Sequence, residues 1–486
     1  MALVVNGRGI WGVRPTPSDA WTRPADWLAM PVIGTQGFIG LLAVTDDDSN
    51  HIALNCAGAY TVDWGDGVIE NVATGVKAQH TYTYSAISDS TLSTRGYKQV
   101  LVRVTPQAGQ NLTTVNLQQQ NSILKTHTVG WLDIAINGAN ITTLYLGGST
   151  VYMAMCERIN IVNTGNVTDF RFFFQNCYKL QNINLFKTPV STSLSASMFL
   201  DCRSLTTIPL LDFSGFGDFT NFFKNCSRLK SLPLINTSSG TIFSGMFSGC
   251  GLRTIPLINT SNGTNFSGMF ASCGVDTIPL LDTSKGTNFS TMFASCVLLK
   301  TIPPLNTIKG TNFNSMFSQC ITLTSIPLLN TSAGKDFGNM FDTCRCLLTI
   351  PLLNTANATT VGGMFSSCNV LQYIPLIDTS KSTTHGYMFQ NCFSLQQVPN
   401  LNTSLSVSFT NTFANVTSLA KGAFQGTRYA IYYGGMCLSQ NAIVDIFNGL
   451  GTAAGAQTIT VSSNPGYIAL TAGERLIATS KGWTIA

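Results

Sequence analysis

Charge is scarce in this sequence. Only 10% of its 486 residues are Asp, Glu, Lys or Arg, against roughly 25% in an average globular protein, and Ser, Thr, Asn and Gly fill the polar positions instead. The net charge of +5 is spread along the chain with no basic cluster, which argues against capture of nucleic acid or of an anionic membrane surface. With four histidines, no Cys-x-x-Cys pair, no Gly-x-Ser-x-Gly elbow and no phosphate-cradling glycine loop, the sequence offers no metal site, no cofactor site and no nucleophile with its base. No run reaches the roughly 18 apolar residues of a membrane-spanning helix; the nearest is 37–44, GFIGLLAV. Residues 1–11, MALVVNGRGIW, lack the basic stretch and apolar core of a secretory signal. The expectation is a soluble protein made in the cytoplasm, without membrane insertion, catalytic residues, metal or cofactor.

What the chain does have is a period. Ten of its 14 cysteines recur about every 24 residues: Cys177, Cys202, Cys226, Cys250, Cys273, Cys296, Cys320, Cys344, Cys368 and Cys392. Prolines from Pro209 to Pro399 and Met-Phe pairs from Met198-Phe199 to Met388-Phe389 keep the same beat, so that a unit reads NTSxGTNFSGMFxxCxxLxxIPLL. Such a period belongs to a solenoid, in which one coil cannot bury its own apolar face and stacked coils bury a shared one. Met, Phe, Cys, Leu, Ile and the Leu pair after Pro are expected to face that core. IPLL is expected to be the strand, with Pro at its tolerant first position, and MFxxCxxL a helical or 3₁₀ turn, since its apolar residues recur every third position.

A line of cysteines cannot converge on a zinc ion, and side chains stacked in one direction make poor disulfides. The ladder therefore reads as reduced thiols filling small core positions, with only one member of the Cys344/Cys346 pair able to join it. A serine at Cys296 would bury a hydroxyl with no assured partner. The recurring Asn-x-Ser/Thr triplets, as at Asn236, Asn259, Asn265, Asn288 and Asn330, read as amides and hydroxyls bonding from turn to turn rather than as glycosylation sites. Asp63 and Asp66 belong to a hairpin turn rather than to a calcium site.

The repeat resembles two related leucine-rich-repeat groups. MFxxCxxLxxIP is similar to the repeats of BspA-like bacterial surface proteins, and residues 259–273 (NTSNGTNFSGMFASC) to those of mycoplasma-type surface lipoproteins. In the N-terminal part, YTVDWGDG at 60–67, then His80-Thr81-Tyr82, then the alternating strand 96–105 resemble a PKD domain, an immunoglobulin-like β-sandwich that serves as spacer or contact module. The resemblances imply a mainly β chain with short helical or 3₁₀ turns: an extended Pro/Trp-rich arm (1–33), the PKD-like sandwich (34–106), an N-terminal cap and entry to the solenoid (107–170), a leucine-rich-repeat-like solenoid of about ten coils of 23–25 residues (171–419) and an α/β C-terminal cap (420–486), with helices near 438–450 and 471–481 flanking a strand near 458–461.

In the order of these parts the chain looks like repeat-bearing virion proteins of tailed bacteriophages. That resemblance implies a non-enzymatic head decoration, fibre or tail-associated adhesin, assembled in the host cytoplasm and displayed on the virion surface. A cellular bacterial surface adhesin is the alternative, and a glycan depolymerase the third reading. Partners would be other virion proteins through the N-terminal region, host-surface glycan or protein through the solenoid, and further copies of the chain in a homo-oligomer. Trp11, Trp21 and Trp27 are the expected attachment anchors, because their proline-rich segment cannot bury them itself; the competing expectation folds them back onto the sandwich. Arg228, Lys230, Arg253, Lys300, Arg345 and Tyr373, which vary from coil to coil at positions the stack does not dictate, form the expected recognition face.

Overall fold

The computed structural model describes residues 21–47, 50–148, 150, 152–163, 165–186, 188 and 194–486. Its first part is built on β1 (Gln36–Val44), buried along both faces, as its unbroken apolar run requires. β1 pairs antiparallel with β6 (Lys98–Pro106) on one side and with β8 (Trp131–Gly138) on the other. The sheet continues beyond β6 through β3 (Tyr60–Asp63) and β4 (Ile69–Val72), and beyond β8 through β10 (Arg158–Val162) and β11 (Asn182–Ile183). Opposite it lies a sheet of β5 (Lys77–Thr81), β2 (His51–Ala57), β7 (Thr114–Asn116) and β9 (Thr143–Tyr145).

Both sheets change character along their width. β1, β3, β4 and β6 run antiparallel, whereas β8, β10 and β11 are parallel and spaced by one coil; β2 and β5 are antiparallel, whereas β7 and β9 are parallel. The two layers therefore become two walls of the solenoid, and one hydrophobic core runs from Phe38 to Trp483. The expected division at residue 106 falls inside this continuous structure, because β8, expected in the cap, is the direct partner of β1.

The coils themselves depart from expectation at two places. IPLL does not form a strand; among the described residues the one ladder that reaches the proline segment from Pro209 onward is the two-residue pairing of Leu401–Asn402 with Phe424–Gln425 after the last coil proline. A proline repeated in every coil removes the same donor from every stacked neighbour, and the parallel ladder stops where proline starts: Asn184 occupies that position in β11's coil and bonds Ile161 through both its amide atoms. Only the second residue after proline faces the core, as Leu211, Leu281 and Leu329 do, while Leu210, Leu280 and Leu328 are 61–67% exposed.

MFxxC is not helical. It is a chain of tight turns in which the residue before Met and the residue before Cys are left-handed, as at Thr291 (φ 53°) and Ser295 (φ 60°). Alternate N–H groups then point in different directions. Phe289, Thr291, Phe293 and Ser295 donate to Asn312, Asn314, Met316 and Ser318 of the next coil at 2.7–2.9 Å, while Met292, Ala294 and Cys296 donate back three residues within their own coil at 3.0–3.2 Å. Side chains stack in register above this backbone. The rings Phe270, Phe293, Phe317, Phe341, Phe365 and Phe389 lie 5.6–5.8 Å apart, within 10° of parallel.

The C-terminal end closes with α1 (Gln440–Gly449), α2 (Ala472–Thr479) and a parallel three-stranded sheet, ordered as β12 (Ile431–Tyr432), β13 (Gln457–Thr460) and β14 (Trp483–Ile485). Thr471 and Glu474 form a capping box at the start of α2.

Trp11 lies outside the described residues. Trp27 does not project as an anchor: it is 4% exposed and covers the outer face of β1 with Leu41, Ala43, Tyr97 and Leu132. Its indole donates to the Tyr97 hydroxyl at 2.9 Å, Arg23 pairs with buried Asp133 at 2.8 Å, and the Trp21 indole donates to Glu157 at 3.0 Å. The segment cannot bury its own tryptophans, so it uses the apolar outer face that β1 leaves uncovered.

Two stability changes follow. Phe293→Ala should cost about 3–5 kcal/mol through the cavity left in the ring stack, read by denaturant unfolding. Trp27→Ala should cost a similar amount, roughly 3 kcal/mol, with the loss seen as faster amide exchange in β1, β6 and β8 while the coils keep their protection.

Candidate functional site

The coil places its residues on distinct strips. Ile, the second Leu, Phe, Met and Cys point inward. All ten ladder cysteines are buried, as are Cys56 and Cys156, whereas Cys346 and Cys437 are exposed. Each ladder thiol from Cys202 onward donates to a backbone carbonyl of the preceding coil: Cys296 to Phe270 at 3.0 Å, Cys320 to Phe293 at 3.0 Å and Cys392 to Phe365 at 3.0 Å, with Cys250 and Cys273, in the short coils, turning to Cys226 and Cys250 at 3.6 and 3.4 Å. A hydroxyl at Cys296 would therefore have an acceptor in reach. Burial pushes the thiols of Cys177, Cys273, Cys320 and Cys392 up to about 12, which leaves them protonated and unreactive.

The Asn-Thr-Ser corner divides its bonding between levels. The Asn or Asp side chain closes a turn within its own coil, as Asn259 does on the Ser261 amide at 3.1 Å. The buried Thr hydroxyl reaches the next coil: Thr260 donates to Asp282 at 2.8 Å, Thr283 to Asn306 at 2.8 Å and Thr307 to Asn330 at 2.7 Å. Hydroxyls, not stacked amides, carry most of the coil-to-coil side-chain bonding here. In the N-terminal part, Asp63 and Asp66 accept from the Gly65 and Val68 amides, and Asp66 also meets His80, whose ring stacks on Trp64. Among the described residues no group of three or more His, Cys, Asp or Glu is placed to hold a metal.

The expected recognition residues are all exposed, and they do not converge. Arg228 and Arg345 follow their coil's cysteine directly or by one residue. Lys230, Arg253 and Lys300 lie farther along the same edge, where Arg253 meets Asp276 of the next coil at 3.3 Å. Tyr373 is five coils beyond Arg253, which at about 4.8 Å per level is on the order of 24 Å. It borders an open depression of about 480 Å³ with Leu376, Gln397, Pro399, Asn400 and Lys421. These residues make a long edge, not a pocket.

Two surface features escaped the reading of the sequence. One is the row of outward leucines that follow the coil prolines. The other is a shallow trench of about 400 Å³ on the turn face, lined by Asp342, Gly362, Ser366, Thr384, Gly386 and Tyr387. The only sequence signal for the trench is glycine at 338, 362 and 386, where earlier coils carry Ser267, Ser290 and Asn314.

His385 occupies a phenylalanine position of the ring stack, between Val361 and Phe409. It is fully buried, 5.8 Å from the Phe409 ring, and neither ring nitrogen has a hydrogen-bond partner. Loss of water lowers its pKa from 6.5 to about 4.

A family described as "Mycoplasma protein of unknown function, DUF285" matches residues 149–257, 196–276, 217–325, 264–372 and 330–424, together more than half of the chain. No curated protein matches it. Among solved structures, a leucine-rich repeat protein from Eubacterium ventriosum is similar at 12% identity, over 68% of this chain and 83% of its own, with a TM-score of 0.29. TLR13 in its complex with ssRNA13 is similar at 12% identity over 67% and 54%, TM-score 0.22. The ectodomain of the Arabidopsis thaliana receptor kinase GASSHO1/SCHENGEN3 is similar at 11% identity over 67% and 50%, TM-score 0.19.

The buried histidine gives the solenoid an acid-sensitive level. Unfolded, the ring takes up a proton below about pH 6.5; folded, it stays neutral down to about 4. Stability from this residue is therefore complete above pH 6.5 and declines by roughly 3 kcal/mol as pH falls to 4. His385→Phe should restore the stacked ring and abolish that decline relative to the unmodified protein, measured by denaturant unfolding at pH 7, 5.5 and 4.5.

Proposed function

We propose that the chain, which belongs to the DUF285 family of mycoplasma-type proteins, is a non-enzymatic display scaffold whose solenoid presents exposed strips for contact with protein or glycan. The observation that carries this reading is the division of labour within the coil. Apart from the outward leucine after each proline, the repeated residues are mostly buried or bond the backbone, and residues that differ between coils lie on the exposed edge from Arg228 to Tyr373. The first two-sheet unit, with WGDG and HxY packed together through Trp64, His80 and Tyr82, is a PKD-like spacer in this proposal. The setting we favour is the surface of a tailed-phage particle, supported by the order of parts along the chain. Attachment would use the N-terminal region without Trp27, since Trp27 is engaged within its own chain. A bacterial cell surface is the second reading, favoured by the mycoplasma description of the family.

Mass spectrometry of purified phage particles, set against a washed cell-envelope fraction, separates the two settings: recovery in the particle at a fixed copy number supports the first, and recovery only in the envelope replaces it with the second. Alanine at Arg228, Arg253, Lys300 and Tyr373 together should weaken binding to host cells about tenfold or more while shifting the melting temperature little. Unchanged binding would remove this edge from the proposal, and turnover of host polysaccharide by the pure protein would remove the non-enzymatic claim.

A further inference from the structure

The first residue after the coil proline forms a straight apolar row along one wall. Leucine holds this position in eight coils from Leu185 to Leu376, each 61–69% exposed, and the one interruption, Pro304, is itself apolar and exposed. The residues before and behind the row do not vary at random. From Leu210 onward a buried or half-buried Ile or Leu and a proline precede it and a buried Leu or Ile follows it, and at Leu185 Asn184 and Phe186 take the flanking places, so the outward leucines share one register. No charged residue lies in the row.

An apolar strip of this length needs cover. At roughly 100 Å² for each leucine, the area equivalent of burying such a side chain, eight expose on the order of 800 Å². Monomeric soluble proteins rarely expose a contiguous apolar patch larger than a few hundred Å², and about 800 Å² per partner is what a stable, specific interface buries. The row's spacing selects the partner. Successive levels of the stack are separated by one coil, with core ring spacings of 5.6–5.7 Å, and one leucine per level makes a regular ridge with grooves along its sides. Another surface can fill those grooves over nine coils only if it carries apolar side chains at the same interval, and a second copy of this wall does. Uncharged on both sides, two such rows meet without repulsion.

We infer that the leucine row is a homodimer interface, in which the IPLL walls of two copies pack face to face, each leucine ridge in a groove beside the other. This inference is independent of the particle or cell-surface setting proposed above and does not use the variable edge.

The test uses the full chain. Sedimentation velocity from sub-micromolar to tens of micromolar should show a monomer–dimer equilibrium that survives high salt, as an uncharged apolar contact must. Leu257→Lys, Leu280→Lys and Leu328→Lys combined should weaken dimerisation about a hundredfold or more with the far-ultraviolet spectrum and melting temperature retained. The serine triple variant at the same positions, which introduces no charge, should weaken it in the same direction, so that a misfolded lysine variant leaves the inference exposed to refutation. A wild-type monomer at tens of micromolar would overturn the inference and leave the row to a foreign partner. A dimer of unaltered affinity in the serine variant would overturn it as well, placing the interface elsewhere.

Discussion

The coil-to-coil backbone bonding of the turn segment is the constraint on which the rest of this protein depends. A chain of tight turns satisfies half of its N–H groups locally and has to send the others to the next level. It does so only because two residues per coil adopt the left-handed conformation, which costs an ordinary L-residue roughly 1–2 kcal/mol. Gly and Asn tolerate that geometry best, and together with Ser and Thr they occupy most of these sites, from Asn221 and Gly245 to Ser367 and Asn415. The polar, nearly uncharged composition is thus a property of the backbone before it is a property of the surface.

The same constraint explains cysteine. The position before it is left-handed, the position itself is buried, and a carbonyl of the previous coil lies above it. A small apolar side chain with one weak donor meets all three conditions. Threonine plays the corresponding part at the Asn-Thr-Ser corner, where its hydroxyl ties neighbouring levels. Because every level repeats these bonds, a departure is local: His385 inserts a titratable ring into one level and leaves those above and below intact.

At the N-terminal end two sheets that are antiparallel in β1–β6 become parallel in β7–β11, so the first parallel strands pair with strands of the N-terminal part, β8 with β1 and β7 with β2. The outer face this leaves on β1 is apolar, and residues 21–30 cover it through Trp27, Arg23 and Trp21. Tyr97 and Asp133, far from that segment in sequence, are what hold it down.

The period, the inward Met-Phe pairs, the cysteine ladder and the helical ends of the C-terminal cap were legible in the sequence by itself, because each depends on side-chain type at a fixed interval. The sequence also shows which positions vary between coils. It did not show that IPLL lacks a ladder, that MFxxC turns rather than coils into a helix, or that the first leucine after proline faces out, since hydrophobicity at three-residue spacing suits helix and turn alike and an apolar residue carries no mark of which side it faces. Nor could the tryptophan-rich segment reveal the side chains that hold it, Tyr97, Asp133 and Glu157, which lie 70 to 136 residues away. Those outcomes were decided by the tertiary structure, for one physical reason: they depend on where a neighbouring coil or strand places its N–H, C=O and apolar surface.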